Sequence, residues 1–248
     1  MKEFNAKNKK RGLFFRFCAK IVSWFYRGSE FIGLENLPDE PCVIAGNHAK
    51  LHGPVMGQLY LPFKKLMWCD GPMMYRKEFP KYAHSNFFNG KPTWFQRFIA
   101  RFLAPLVTYL MRNADALPVY RDMRVVKTYK YSVEAMNEGY NIVIFPECPE
   151  KNNEIVNKLN EYFVDVARFY YKQTGKELLF VPMYYSVELR KVLFAKPIKF
   201  DASSPIDEQR KKICSYIMDE ITGLAKTLPV HTVIPFNNVP KSEYKKSK

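Results

Sequence analysis

Residues 46–54 read GNHAKLHGP and follow directly on an apolar run, PCVIA. Two of the four histidines in the chain, His48 and His52, therefore share one loop with Asn47. Imidazole, with an ordinary pKa near 6.5, takes up and releases a proton at cellular pH. A histidine at the end of a buried strand is thus a candidate general base. Glu147, in FPECPEKN (145–152), also stands just past an apolar run, NIVI. Its neighbour Cys148 offers a thiol, and a Cys–His pair working through a covalent intermediate is the rival chemistry. The plainer reading of Cys148 is a small residue in a tight turn. His84 and His231 belong to no comparable strand-end motif and read as structural. The histidines and the five cysteines do not fall at metal-ligand spacing, so neither metal nor cofactor is expected.

These groups need elements to position them. PCVIA (41–45), KLMWCD (65–70), DALPVY (115–120), YNIVIFP (140–146), ELLFVPMYY (177–185) and KVLFAKPIKF (191–200) read as short buried strands. Helical patterns run between them. Residues 94–111 carry Pro105, expected to kink or divide the helix. Residues 123–138 end at Gly139, a C-cap. Residues 153–173 align Ile155, Leu159, Phe163, Val166 and Tyr170 in one stripe. A last helix opens with Ser204 as N-cap, Pro205 at the first position and Asp207 closing a capping box. Strands alternating with helices predict a single α/β domain with a mostly parallel central sheet flanked by helices. Ligands of such sheets gather at the carboxyl ends of the strands, where His48 and Glu147 fall.

Charge narrows the partners. The 248 residues hold 39 Lys and Arg against 24 acidic residues, a net charge of +15. Twenty Phe, sixteen Tyr and three Trp accompany them. Rings beside cations suit an anionic membrane surface, and would also suit single-stranded nucleic acid. No recognition-helix, zinc-finger or RNP-type signature favours nucleic acid. In RGLFFRFCAKIVSWFYRG (11–28), Arg16, Lys20, Ser23 and Arg27 recur at helical spacing opposite an aromatic face, the pattern of an amphipathic interface helix. The chain divides into a basic interface segment (1–28), a central domain (29–235) and a basic tail (236–248), the two basic ends reading equally as solvated termini or as part of the working protein. An odd, scattered set of cysteines predicts a reduced protein without a disulfide framework. The longest apolar stretch, FLAPLVTYLM, falls far short of the about 20 residues a bilayer requires. A peripheral protein on the cytoplasmic membrane face is the expectation.

Four strand-end stretches, NHAKLHGP, PVYRD (118–122), FPECPEKN and FVPMY (180–184), stand in one order and spacing with the lead-in GLENLPDEP. Together they resemble the glycerolipid acyltransferase family, which includes the lysophosphatidate (1-acylglycerol-3-phosphate) acyltransferases. The resemblance covers roughly residues 30 to 200. It implies an O-acyltransferase that moves a fatty acyl chain from acyl-CoA or acyl carrier protein to the hydroxyl of a (lyso)phospholipid or other glycerolipid. In that family the histidine of an N-H-x4-D motif is the base, which implies His48, with Asn47 beside it. Arg121 corresponds to a basic residue that meets substrate phosphate. Phe145, Pro146 and Glu147 correspond to residues around the acceptor, and Val181 and Pro182 to a packing strand.

Two departures qualify these implications. Gly53 stands where the family has its orienting aspartate, so His52, Asp70 or Asp122 is expected to orient His48 instead. Cys148, Pro149 and Glu150 replace Gly, Ser or Thr, and the phosphate-gripping Arg, leaving Lys151 as the nearest cation. An acceptor other than lysophosphatidate becomes reasonable. A non-catalytic lipid-binding protein on the same fold is the alternative.

Overall fold

The computed structural model describes residues 5, 11–87, 93–149, 155–237 and 239–248. In chain order the elements are α1 (Leu13–Phe25), β1 (Glu30–Ile32), β2 (Val43–Gly46), α2 (His52–Tyr60), β3 (Lys65–Asp70), α3 (Phe79–Phe87), α4 (Trp94–Asn113) and β4 (Ala116–Val119). There follow α5 (Val125–Asn137), β5 (Asn141–Ile144), α6 (Val166–Thr174), β6 (Leu179–Ser186), β7 (Lys191–Phe194), β8 (Ile198–Lys199) and α7 (Ile206–Thr227).

The eight strands form one sheet in the order β1-β7-β6-β2-β5-β3-β4, with β8 beside β6. Among the strands of the described residues five pairings are parallel, and β6 with β7 and β6 with β8 are antiparallel. The expected α/β domain with a mostly parallel sheet is therefore present. Central β2 is buried along its whole length, as a strand covered on both faces must be. Its side chains alternate: Val43 and Ala45 join the core under α5, α6 and α7, while Ile44 meets Met56 of α2 and Met183 on the other face.

Several boundaries differ from the sequence reading. The stretch 191–200 splits into β7 and β8. The helix expected over 153–173 is shorter. Residues 153 and 154 lie outside the described residues, Leu159 forms an antiparallel bridge with Glu147, and Asn160 accepts a bond from Tyr162 N, so regular helix starts only at Val166. Helix α4 runs through Pro105 without dividing. Ser204 does not cap α7, because its hydroxyl bonds Asp201, and Asp207 pairs with Arg210 instead of closing a capping box. Gly139 does end α5 in the left-handed region, with φ of 79°. β1, α2 and α3 have no counterpart in the sequence reading.

Among the described residues no helix is long and apolar enough to cross a membrane. Instead α1 buries only Phe15 and exposes Leu13, Phe14, Phe17, Trp24 and Phe25, while α4 exposes Trp94, Phe95, Phe98, Phe102 and Tyr109. The Phe14 and Tyr109 rings meet at 5.8 Å, joining the two exposed faces. Arg11 anchors the start of α1 through Asp115 and the Gln58 carbonyl.

Candidate active site

Sheet order sets the site. The adjacent strands β2, β5, β3 and β4 end, in that order, at His48, Glu147, Asp70 and Arg121. With strands about 4.8 Å apart, that row spans roughly 15 Å. Asn47 extends β2 by side chain: its Oδ1 accepts from Tyr185 N at 2.7 Å and its Nδ2 donates to Tyr185 O at 3.1 Å. Only 3% exposed, this amide is spent on β6 backbone. The amide thereby fixes the main chain that leads into its neighbour His48.

Beyond His48 the backbone turns sharply. Ala49 and Lys50 take positive φ of 46° and 56°, a left-handed pair that costs residues with a side chain about 1 kcal/mol each or more. The turn brings the Lys50 carbonyl back onto His48 Nδ1. A carbonyl only accepts, so Nδ1 must carry the hydrogen and Nε2 the lone pair. Among the described residues Nε2 has no hydrogen-bond partner. Burial pushes the imidazole below its ordinary 6.5, while the Lys50 carbonyl bond and the Asp70 charge act the other way. The ring is thus held neutral, in one tautomer, with its basic nitrogen unoccupied.

Gly53 explains the missing aspartate. A Cβ there would lie 2.7 Å from Asn47 O, 2.8 Å from His48 O and 2.9 Å from Phe145 Cε1. The start of α2 thus packs directly on the Asn47 and His48 carbonyls, and Gly53 N donates to His48 O at 3.1 Å. Gly53→Asp is therefore expected to destabilise the fold by about 2 kcal/mol or more, with no gain in activity. Thermal melting checks this: an unchanged melting temperature would contradict the packing described.

Glu147 is fixed from both sides. Cys148 N donates to Lys158 O and Asn160 N to Pro146 O, each at 2.8 Å, so residues 146–148 are bracketed by 158–160. Its carboxylate accepts from His48 N. Desolvation raises the carboxyl to about 7, opposed by that amide bond. Asp70 accepts from Tyr82 at 2.8 Å and pairs with Arg121 at 3.2 Å, the arginine side chain being 83% exposed. Asp122, the other acid considered as orienter, is tied to Arg124 at 2.9 Å.

The tail docks on the domain while most of residues 241–248 stay exposed, Ser247 being buried. His231, fully buried, bonds Tyr184 at 2.7 Å through Nε2 and Ser247 at 2.8 Å through Nδ1. Val233 N reaches Lys245 O at 2.9 Å and Ser247 N reaches His231 O at 2.9 Å, closing the tail on itself. This strap lays Phe236 against His48, ring centroids 4.4 Å apart, with Phe145 on another side at 5.6 Å. Lys50 Nζ stands 5.1 Å from the Tyr244 ring centre. Phe236→Ala should rehydrate the imidazole and return its pKa toward 6.5. The acid limb of any His48-dependent rate would then move to higher pH, and an unmoved limb would show that Phe236 does not desolvate the ring.

His52 does not orient His48. Its Nδ1 bonds Tyr26 hydroxyl at 2.9 Å, tying α2 to the end of α1, and the Lys50 carbonyl has the place expected for it. Lys151 and Glu150 lie outside the described residues. The thiol of Cys214 on α7 is pushed up to about 12 chiefly by burial, then by the Glu161 charge and last by Cys148. Two participants escaped the sequence reading, the Lys50 carbonyl and Phe236. A main-chain oxygen has no residue-type signature, and Phe236 carries none beyond being an aromatic beside Pro235.

A scan against protein-family models finds no match to this chain, and a search of the curated proteins finds none. Among solved structures, the chain is similar to the 1-acyl-sn-glycerophosphate (LPA) acyltransferase PlsC from Thermotoga maritima. The identity is 15%, the match covers 85% of this chain and 78% of that one, and the TM-score is 0.47. So distant a likeness leaves function to be inferred from the site itself.

Proposed function

We propose that the chain is an O-acyltransferase with His48 as general base. It would act at the cytoplasmic face of a membrane and move a fatty acyl chain from acyl-CoA or acyl carrier protein to a lipid hydroxyl. The observation that carries this reading is the Lys50 carbonyl on His48 Nδ1, which leaves Nε2 as a lone-pair base at the carboxyl edge of the sheet.

In the proposed reaction Nε2 takes the hydroxyl proton as the oxygen attacks the thioester carbonyl. The tetrahedral intermediate collapses with cleavage of the C–S bond, and the imidazolium returns the proton to the departing thiolate. A thiol of pKa about 8.5 is a good leaving group, so no covalent enzyme intermediate is required. Asp70 favours the charged imidazolium through space. Glu147 holds the His48 main chain, and Arg121 is the proposed contact for an acceptor phosphate. The exposed aromatic faces of α1 and α4, with Arg16, Lys20 and Arg97 among them, would seat the protein on anionic lipid.

The test is product analysis. Purified protein is incubated with isotope-labelled acyl-CoA or acyl carrier protein and a membrane lipid extract. A labelled ester made by the wild type and missing with His48→Ala is expected; its formation by both proteins would refute the role of His48.

A further inference from the structure

Beyond Asp70 the chain makes a short turn, Gly71–Met74, and presents Arg76 and Lys77 just before α3. Helices α3 and α4 approach closely through Phe79, Ala83, Ala100 and Ala104. Beside this contact lies a cavity of about 570 Å³ lined by Arg76, Lys77, Pro80, Arg101 and Ala104. Three cations thus converge on one concave space with Pro80 and Ala104 as its apolar wall. None of the three forms an ion pair with a carboxylate among the described residues, whereas Arg121 and Arg124 at the neighbouring strand end both do. Converging like charges repel, most strongly against low-dielectric walls, and an anion between them removes that repulsion. Two guanidinium forks and an ammonium suit the tetrahedral oxygens of a phosphate.

The position of Arg101 says where that phosphate would come from. Phe98 and Phe102 flank it on α4, 60% and 72% exposed, with ring centroids 6.2 Å apart. Such rings sit at the depth of lipid headgroups, and a basic side chain beside them reaches the phosphate layer. We infer that the Arg76–Lys77–Arg101 cavity binds the phosphate of an anionic membrane lipid, a short way along the chain from the strand end that carries Asp70. This deepens the membrane-surface part of the proposed function and rests on it.

The experiment uses the full chain carrying His48→Ala, so that binding is read without any acyl transfer. Affinity is measured for phosphatidylcholine vesicles doped with phosphatidate, and for vesicles given the same surface charge by a fatty carboxylate. The further variant Arg76→Gln/Lys77→Gln/Arg101→Gln is expected to lose about tenfold on phosphatidate and less than threefold on the carboxylate vesicles. A charge-matched control, Lys127→Gln/Lys130→Gln/Lys172→Gln, should lose less than threefold on both. Equal losses on the two vesicle types, or equal losses from both triple variants, would overturn the site. Binding of inorganic phosphate in solution that the triple variant loses, with no difference between parent and variant on phosphatidate vesicles, would assign the cavity to free phosphate and overturn the lipid. Melting curves confirm that each variant is folded. Failure of the acyltransfer reading has a separate sign, an ester still formed by His48→Ala.

Discussion

Replacing His48 with Ala is expected to lower kcat for acyl transfer by about a thousandfold, with KM for the thioester changed by less than threefold. Proton abstraction by a positioned base contributes typically 10²–10⁴ in rate, and the nitrogen that would supply it here is Nε2 alone. His48→Gln separates positioning from basicity. Its amide can still donate to the Lys50 carbonyl and keep the loop in shape, but it cannot accept a proton at neutral pH. It should therefore be as slow as His48→Ala while melting close to the wild type. A Gln variant with near-normal turnover would mean that the imidazole only shapes the loop.

Glu147→Gln is expected to change how stability depends on pH, because the amide keeps an acceptor for His48 N but cannot titrate. The native carboxyl is raised to about 7 from an ordinary 4.5, chiefly by desolvation. Below pH 4.5 folded and unfolded chains both hold this proton, and its contribution to stability is fully present. Between pH 4.5 and 7 the unfolded chain releases the proton first, so stability falls as pH rises. A shift of this size corresponds to a loss of about 3 kcal/mol, complete above pH 7. His48, whose pKa is lowered, contributes in the opposite sense and loses its contribution as pH falls, but it is common to both proteins. The difference in unfolding free energy between Glu147→Gln and wild type should accordingly rise from near zero below pH 4.5 to about 3 kcal/mol above pH 7. Urea melts across that range give it directly, and a flat difference would contradict a desolvated carboxyl at this position.

What the sequence made legible was largely local. The apolar run ending at Gly46 identified a buried strand, and the polar residues after it located the site edge. That His48 and Glu147 would touch was not legible, since they meet only because β5 pairs with β2 and not with β4, the strand before it in the chain. The stripe from Ile155 to Tyr170 has helical spacing, but the pairing of Leu159 with Glu147 and the Asn160 side chain outweigh it. Gly53 stands where the resemblance implies an orienting aspartate, whereas the structure makes it a packing requirement of α2 against the Asn47 and His48 carbonyls. The tail carries too little periodicity to reveal a strap, and its docking depends on His231 reaching Tyr184 across the fold.

The most direct measurement follows thiol release and ester formation together in single turnovers, with wild type, His48→Ala and Cys148→Ala side by side. Direct attack by an acceptor hydroxyl predicts one thiol per ester, no thiol burst without acceptor, Cys148→Ala within twofold of wild type, and His48→Ala about a thousandfold slower. Thiol released ahead of ester and abolished by Cys148→Ala, or wild type that consumes no thioester while still binding lipid, would contradict it.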